Sequence, residues 1–467
     1  MQRRHGQPLP PVFVMATDMK TKPMIHTFFA IALLAIAQLA HAILPIEHWR
    51  TSAGAKVYFV ENRGLPILDV SVDVPAGSGF DTPSKSGLAA MTNGLMRLGA
   101  AGMSEDDIAR RLADVGAQMS NRFDSDRGGL FLRTLSDLKR RTQALEVMAG
   151  VLSTPAFSDA IVEREKSRYI SALKEADLTP DTQANREFYR LVFGTHPYSL
   201  RSSGEVDTVV GLKSDDLKTF HRTHYVASHA VVAIMGDVTR KEAEAIAEQL
   251  TRGLPRSNGQ QLLIPEVQSL PAAVTRMIDH PASQSHIMIG APGIRRDDPD
   301  YFSLFVGNYV LGGGGFVSRI TEEVRQKRGL AYSAYSYFSP LRARGPFVIG
   351  MQTRRDQAEQ ALAVVRSTLR EFVDKGPTAE EVVAAKQNII GGFPMRIDSN
   401  RKIQDYLALI GFYDLPADYL ETFVANIEKV SAADIKAAFA RRVDPDRMVT
   451  VVVGADHKQT AAALPTR

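Results

Sequence analysis

The chain has 467 residues, 44% hydrophobic and 23% charged, with one Trp, 24 Pro and no Cys. That composition excludes a disordered chain, a collagen-like repeat and a disulfide-stapled scaffold, and the length calls for two or more domains with sizeable cores. The formal charge of +4 hints at an acidic partner, but the N-terminus accounts for most of it.

Lys20 and Lys22 precede the apolar run 28–37, and Ala40-His41-Ala42 follows. A basic segment, a short apolar stretch and an A-x-A site together predict a secretory signal peptide over 1–42, with the residues before Met19 reading as an upstream extension. The run is shorter than the roughly 20 apolar residues that span a bilayer. Removal of 1–42 takes away Arg3, Arg4, Lys20, Lys22 and one acid, Asp18, leaving a net charge of +1. No basic stripe then remains for nucleic acid or a membrane surface. An exported chain without cysteine forms no disulfides, so the expected location is the periplasm, with no membrane span after cleavage.

The rest reads as two copies of one α+β unit. In the first, Leu68, Val70, Val72 and Val74 alternate as a half-buried strand. A helix follows over about 87–98. A second helix starts at Ser104 as N-cap, with Glu105, Asp106 and Asp107 at the positive end of its dipole. Strands over 118–123 and 129–134 lead to a helix over 138–152. The second copy repeats the plan, with a strand over 286–291, a helix over 301–311, strands over 330–338 and 347–353, and a helix over 357–375. The copies also end alike, since Asp216 and Gly236 are 20 residues apart, as are Asp434 and Gly454. The Gly/Pro/Ser/Asn-rich segment from Gly253, with Pro265 and Pro271, reads as a linker. The expected organisation is an N-terminal domain (43–252), a linker (253–275) and a C-terminal domain (276–467). Each domain is a mostly antiparallel sheet covered by helices.

Four groups of residues could carry chemistry. His221 and His224 share a helix face, but no carboxylate in their motif completes a metal site, and they read as surface or helix-end histidines. Glu163, Glu165 and Glu175 lie on a helix rich in Arg and Lys and read as a solvated, salt-bridged face. The run Gly312-Gly313-Gly314-Gly315 lacks the Lys-Ser/Thr of a phosphate loop and follows a helix instead of a strand. It reads as a flexible loop, without side chains, past which a peptide could run. Finally, a helix ends near Gly329 with Arg325 in its last turn, and Tyr332 opens the next strand. A guanidinium and a phenol brought together there could donate to one substrate oxygen. Equally, Arg325 could simply offset the helix dipole while Tyr332 packs on a sheet.

These residues resemble a known family. The stretch Leu311 to Ile320, then Arg325 and Gly329-Leu330-Ala331-Tyr332-Ser333, is similar to the C-terminal-half signature of the pitrilysin-like, or inverzincin, zinc metallopeptidases, which include mitochondrial processing peptidase and insulin-degrading enzyme. The resemblance covers essentially the whole chain after residue 42, because that family is built from tandem α+β repeats. It implies that Arg325 and Tyr332, seven residues apart as in the family, bind substrate backbone beside a zinc ion. The family's zinc motif, Gly-Leu-Ala-His-x-x-Glu-His, is matched here by Gly87-Leu88-Ala89-Ala90-Met91-Thr92-Asn93-Gly94. Ala90 and Gly94 stand at the two ligand histidines and Asn93 at the general-base Glu. The third ligand, a downstream Glu, falls best on Ile170, with acids close by on the same helix. With both imidazoles lost, this chain is expected to bind no zinc and to be inactive alone.

A degenerate zinc half beside an intact Arg/Tyr half resembles the non-catalytic subunit of a heterodimeric bacterial member. The resemblance implies a partner carrying the His-x-x-Glu-His motif and the Zn2+, encoded next door, and a substrate that is a peptide or unfolded polypeptide. The alternative is a non-enzymatic peptide-binding or scaffold protein of the same fold.

Overall fold

The computed structural model describes residues 45–256, 259 and 262–454. The segment 1–42, read above as a signal peptide, lies outside them. The described residues form one compact unit. Along the chain run β1 (Glu47–Arg50), β2 (Lys56–Glu61), β3 (Ile67–Val74), α1 (Leu88–Leu95), α2 (Glu105–Ala113), β4 (Gln118–Phe123), β5 (Gly128–Leu135), α3 (Leu138–Ser153), α4 (Asp159–Ala176), α5 (Pro180–Phe193), α6 (Ser214–His224), β6 (Val231–Gly236) and α7 (Arg240–Arg252). There follow β7 (Val274–Ile278), β8 (Gln284–Pro292), α8 (Tyr301–Asn308), β9 (Ala331–Phe338), β10 (Pro346–Arg354), α9 (Ala358–Lys375), α10 (Ala379–Gly392), α11 (Asn400–Tyr413), α12 (Tyr419–Lys429), α13 (Ala432–Arg442) and β11 (Val449–Val453).

The first sheet has the order β1-β2-β6-β3-β5-β4 and the second β9-β10-β8-β11-β7. Apart from β1, the two are the same object. In each, a strand runs parallel to the half's last strand (β2 on β6, β7 on β11), and every other pairing is antiparallel. The predicted repeat is therefore a repeat of topology. The Ser104 cap is also present, as a reciprocal capping box with Asp107.

The helices are exchanged between the halves. α5, from the first half, lays Ala184, Phe188 and Val192 against Met288, Val449 and Val451 of the second sheet. Gly290 leaves the room for this, since a Cβ there would stand 2.8 Å from Phe188 Cζ. α11, from the second half, covers the first sheet, with Leu407 and Ala408 packed on Ala233 and Met235.

That exchange corrects one expectation. β3 is not half-buried, because Asp69, Ser71 and Asp73 are as inaccessible as its apolar residues. Burying carboxylates is tolerated only with partners. Arg133 holds Asp69 with two hydrogen bonds of 2.7 Å, and Arg122 joins Asp73 (2.9 Å) to Asp405 on α11. Ser71 accepts from Gln404, also on α11. The polar face of the strand is thus an interface with the other half of the chain.

Candidate functional site

Helix α1 carries the residues that the resemblance matches to the zinc motif, and its start is fixed by a glycine and a buried carboxylate. Gly87 takes φ 92°, a left-handed conformation that a side chain would strain. The buried Asp81 carboxylate accepts from the N–H groups of Gly87 (2.8 Å) and Ala89 (2.9 Å), closing the helix N-terminus. The remainder of the helix is packed for structure. Asn93 is buried and donates through its amide to the Gly129 carbonyl (3.0 Å) and the Tyr225 hydroxyl (3.1 Å). Gly94 faces Tyr169 of α4, whose hydroxyl lies 2.9 Å from where a Cβ would be. Burial raises the Tyr169 phenol above its ordinary value. Ile170 is half-buried and packs against the first core. Among the described residues, no group of three His, Cys, Asp or Glu is placed to hold a metal ion. Ala90, Asn93 and Gly94 supply neither imidazole nor carboxylate and do not fit a zinc ion.

Reinstating the motif should therefore fail. In the triple variant Ala90→His, Asn93→Glu, Gly94→His, the imidazole introduced at position 94 meets the Tyr169 hydroxyl, and the amide bonds of Asn93 are lost. The expected result is far less than stoichiometric zinc by elemental analysis, together with a loss of stability. A full equivalent of tightly bound zinc would show that the pocket is not closed to the metal.

His221 and His224 do sit at the end of α6, but they are buried, not on the surface. His221 Nε2 pairs with the Leu152 carbonyl (2.9 Å) and His224 Nδ1 with that of Pro75 (2.8 Å). They tie α6 to α3 and to the end of β3, and burial lowers both imidazoles to about 4. In the unfolded chain each takes up a proton near pH 6.5, in the folded chain only near 4. Stability is therefore complete above pH 6.5 and lost as pH falls through that window, by on the order of 3 kcal/mol per histidine. Denaturant titrations at pH 7.5, 6 and 5 should show this loss, and His221→Gln should flatten it. A pH-independent midpoint would rule it out. The acidic face of α4 is also less solvated than expected. Glu165 and Lys166 are buried, Glu165 between Arg164 and Arg168 and Lys166 against Glu163.

In the second half, α8 runs into a π-helical turn, Tyr309–Gly313, and a second π turn, Glu322–Gln326, carries Arg325. Such wide turns often mark functional positions. The glycines between them are not one open loop. Gly312 is buried, and a Cβ there would lie 2.6 Å from the Ser336 backbone nitrogen. Its lack of a side chain lets the turn close on β9. Gly313, Gly314 and Gly315 reach the surface, and Gly315, at φ 61°, turns the chain into Phe316.

Arg325 and Tyr332 are brought together. The Gly329 N–H bonds the Arg325 carbonyl (2.9 Å) and the Leu330 N–H that of Val324 (2.8 Å), so the turn is tight. At the start of β9, Ala331 pairs with Thr353 and Ser333 with Gln352, leaving Tyr332 as the extra residue of a β-bulge. A bulge re-aims a side chain, and Tyr332 is 79% exposed. The Arg325 guanidinium lies 4.6 Å from the centre of the Tyr332 ring and 4.6 Å from that of Phe316. Phe316, which sequence reasoning passed over, is 63% exposed and is held in place by Gln326, which donates to its carbonyl (2.6 Å). Its only sequence signal was its place directly after four glycines. Among the described residues, Arg325 has no carboxylate partner, whereas Arg319 on the same segment is locked to Glu381. The site is a cation over two exposed rings, its guanidinium without a hydrogen-bond acceptor among the described residues.

Two family models match. Residues 56–201 match the Insulinase (Peptidase family M16) description, and residues 211–389 match the Peptidase M16 inactive domain. The crystal structure of a peptidase M16 inactive domain from Pseudomonas fluorescens superposes with a TM-score of 0.85 at 36% identity, covering 88% of this chain and 98% of that one. The chain belongs to peptidase family M16. The chain is also similar to an uncharacterized zinc protease of Streptomyces coelicolor, 27% identical over 83% of this chain and 85% of that one. The non-peptidase homolog YmxG of Helicobacter pylori is 25% identical over 82% and 88%. Within this family fold, the chain presents Arg325 and Tyr332 at the surface, and Ala90, Asn93 and Gly94 on α1 offer no metal-ligating side chain of the kind zinc takes.

Proposed function

We propose that this chain is the non-catalytic subunit of a heterodimeric, exported M16 zinc metallopeptidase, supplying Arg325 and Tyr332 to a site whose zinc and general base belong to a partner with an intact His-x-x-Glu-His motif. One observation carries this reading. The same chain packs its zinc-motif helix shut with Tyr169, Asn93 and Tyr225, yet leaves Arg325 without an acid partner between two exposed rings. A guanidinium beside a phenol is suited to holding a peptide carbonyl and stabilising the oxyanion that forms on it, while the partner's metal would supply the activated water. Export rests on the signal-like segment 20–42. Among the described residues, no helix is long and apolar enough to cross a membrane.

The second reading, a peptide-binding or scaffold protein, is favoured by the relative named a non-peptidase homolog. Mass spectrometry of what co-purifies with the tagged chain from its native periplasm, with zinc counted in the same sample, separates the two. A near-equimolar inverted-motif peptidase with one zinc per pair supports the split site. The chain recovered alone, zinc-free and still binding peptides, supports the scaffold.

A further inference from the structure

The two sheets differ at one edge. In the first, β1 pairs antiparallel with β2, placing Glu47 opposite Phe59 and Trp49 opposite Val57. In the second, β7 takes the place of β2, and β11 is its only strand neighbour among the described residues. The registers correspond. The Lys56 N–H bonds the Ala230 carbonyl (2.9 Å) just before β6, and the Val274 N–H bonds the Met448 carbonyl (3.0 Å) just before β11. Thr275 and Met277 therefore stand where Val57 and Phe59 stand. Val274 bonds toward β11, as does the Ile278 carbonyl, which accepts from the Gly454 N–H (2.9 Å). The period of two then turns the N–H and C=O groups of Thr275 and Met277 to the outer edge.

Among the described residues, the chain does not cover this edge itself. The segment before β7, which corresponds to β1, is held elsewhere. Its Pro265 carbonyl pairs with His196 Nε2 (2.9 Å), its Val267 carbonyl accepts from Arg344, and the Val267 side chain is buried in the core under α5. Beside the edge lies a groove of about 290 Å³ between α9 and the sheet, lined by Thr275, Ile289, Val365, Leu369 and Thr450. In the first half α7 fills the matching layer, with Ile246 and Leu250 in one core with Val57, Phe59 and the Trp49 ring. The second half has no counterpart of α7 among the described residues. Arg366, also in the groove wall, donates to the Thr450 hydroxyl (3.0 Å) and has no carboxylate partner among the described residues.

An uncovered strand edge is a template for another extended chain, and adding a strand to such an edge is a recurring mode of peptide recognition. The first half shows what completes this one. There the added strand is antiparallel, its aromatic residue opposite Val57 packs into the layer beside the sheet, and its acid two residues earlier meets an arginine, Glu47 with Arg240 (2.7 Å). We infer that the β7 edge binds an extended polypeptide segment, antiparallel, with a large apolar side chain opposite Thr275 in the groove and an acid two residues before it for Arg366. The inference goes beyond the split-site reading and uses none of its residues.

The test is calorimetry on the purified chain with a peptide of the β1 sequence, residues 46–52, blocked at both ends. The same peptide N-methylated at Glu47 and Trp49 keeps its side chains and loses the two backbone donors that a strand would offer Thr275 and Met277. It should bind at least tenfold weaker, as should the peptide carrying Trp49→Ala. Thr275→Pro removes an outward N–H that takes no part in the ladder with β11, so this variant should keep its circular dichroism spectrum and lose the peptide. No binding of the plain peptide, or equal binding of the N-methylated one, would overturn the proposal whether or not the variant folds. Two further results would overturn it by assigning the edge to another occupant. A dimer of the free protein in sedimentation that Thr275→Pro dissolves would give the edge to a second copy. Peptide binding gained only on deletion of residues 455–467 would give it to the chain's own C-terminal segment.

Discussion

Replacing Asp126 with Ala is expected to lower the stability of the fold by about 3–5 kcal/mol. Asp126 sits in the turn between β4 and β5 and is fully buried. Its carboxylate accepts from the Tyr198 hydroxyl, the Tyr413 hydroxyl (2.8 Å) and the Arg342 backbone N–H (2.8 Å). Those donors come from the segment after α5, the end of α11 and the loop after β9, so one side chain ties both exchanged helices to both halves. Burial raises the Asp126 carboxyl above its ordinary value, and the two hydroxyls and the N–H work against that rise. Removing the acceptor strands three donors at once, and each orphaned buried donor costs about 1–3 kcal/mol. The surrounding charge adds to the effect, since the guanidiniums of Arg127, Arg296 and Arg342 all lie within 6 Å of the Tyr413 ring centre. Asp126→Asn keeps a carbonyl oxygen as acceptor and should lose about half as much. Thermal and urea unfolding of the two variants against the parent measure this directly. A loss below about 0.5 kcal/mol in the Ala variant would show that the junction does not depend on this carboxylate.

The same junction explains what was legible in the sequence and what was not. The alternation of Leu68, Val70, Val72 and Val74 shows a strand with one apolar face. It also shows Asp69, Ser71 and Asp73 on the other face, and a local pattern assigns such a face to water. The structure instead covers that face with a helix more than 300 residues further along the chain, which brings Gln404 to Ser71 and Asp405 to the arginine that holds Asp73. Hydrophobic period reports that a surface is polar, not what stands on it. The buried His221 and His224 have the same origin, because their partners are backbone carbonyls of distant segments, which no side-chain motif announces. The repeat was legible because each half has to form the same strand pairings from its own residues. At the candidate site, the short turn between Arg325 and Tyr332 left their meeting open, and it was the family resemblance that favoured it. The bulge that aims Tyr332 and the ring of Phe316 depend on how the glycine turns fold. Composition says only that glycines leave space. At Gly312 that space is filled by Ser336, and only from Gly313 onward does it open to the surface.

Arg325→Ala should cost the assembled enzyme a factor of about 10² to 10³ in kcat/KM, the typical effect of removing one oxyanion donor, with pairing and zinc content unchanged. The two parts of the expectation rest on different observations. The rate loss follows from the proposed role, in which a planar guanidinium without an internal acid partner meets the substrate carbonyl. The unchanged pairing is expected because the fold of this chain does not depend on Arg325, which is half-exposed and, among the described residues, makes two ring contacts, worth about 0.5–1 kcal/mol each at exposed sites. The turn that carries it is fixed independently by the Arg319–Glu381 pair and by Thr321, whose hydroxyl donates to the Ala334 carbonyl (3.1 Å). Tyr332→Phe keeps the stacking and removes only the hydroxyl, so its loss should be smaller, about tenfold. Phe316→Ala removes one wall of the sandwich while touching neither donor. If Phe316 positions Arg325, this variant should lower kcat more than it raises KM, and Phe316→Tyr should restore the rate. Full activity in Arg325→Ala would end the split-site reading. A loss of activity accompanied by loss of the partner would make the segment a subunit contact instead. The measurement is therefore made on the isolated complex, with subunit ratio and zinc determined in the same preparation as the rate.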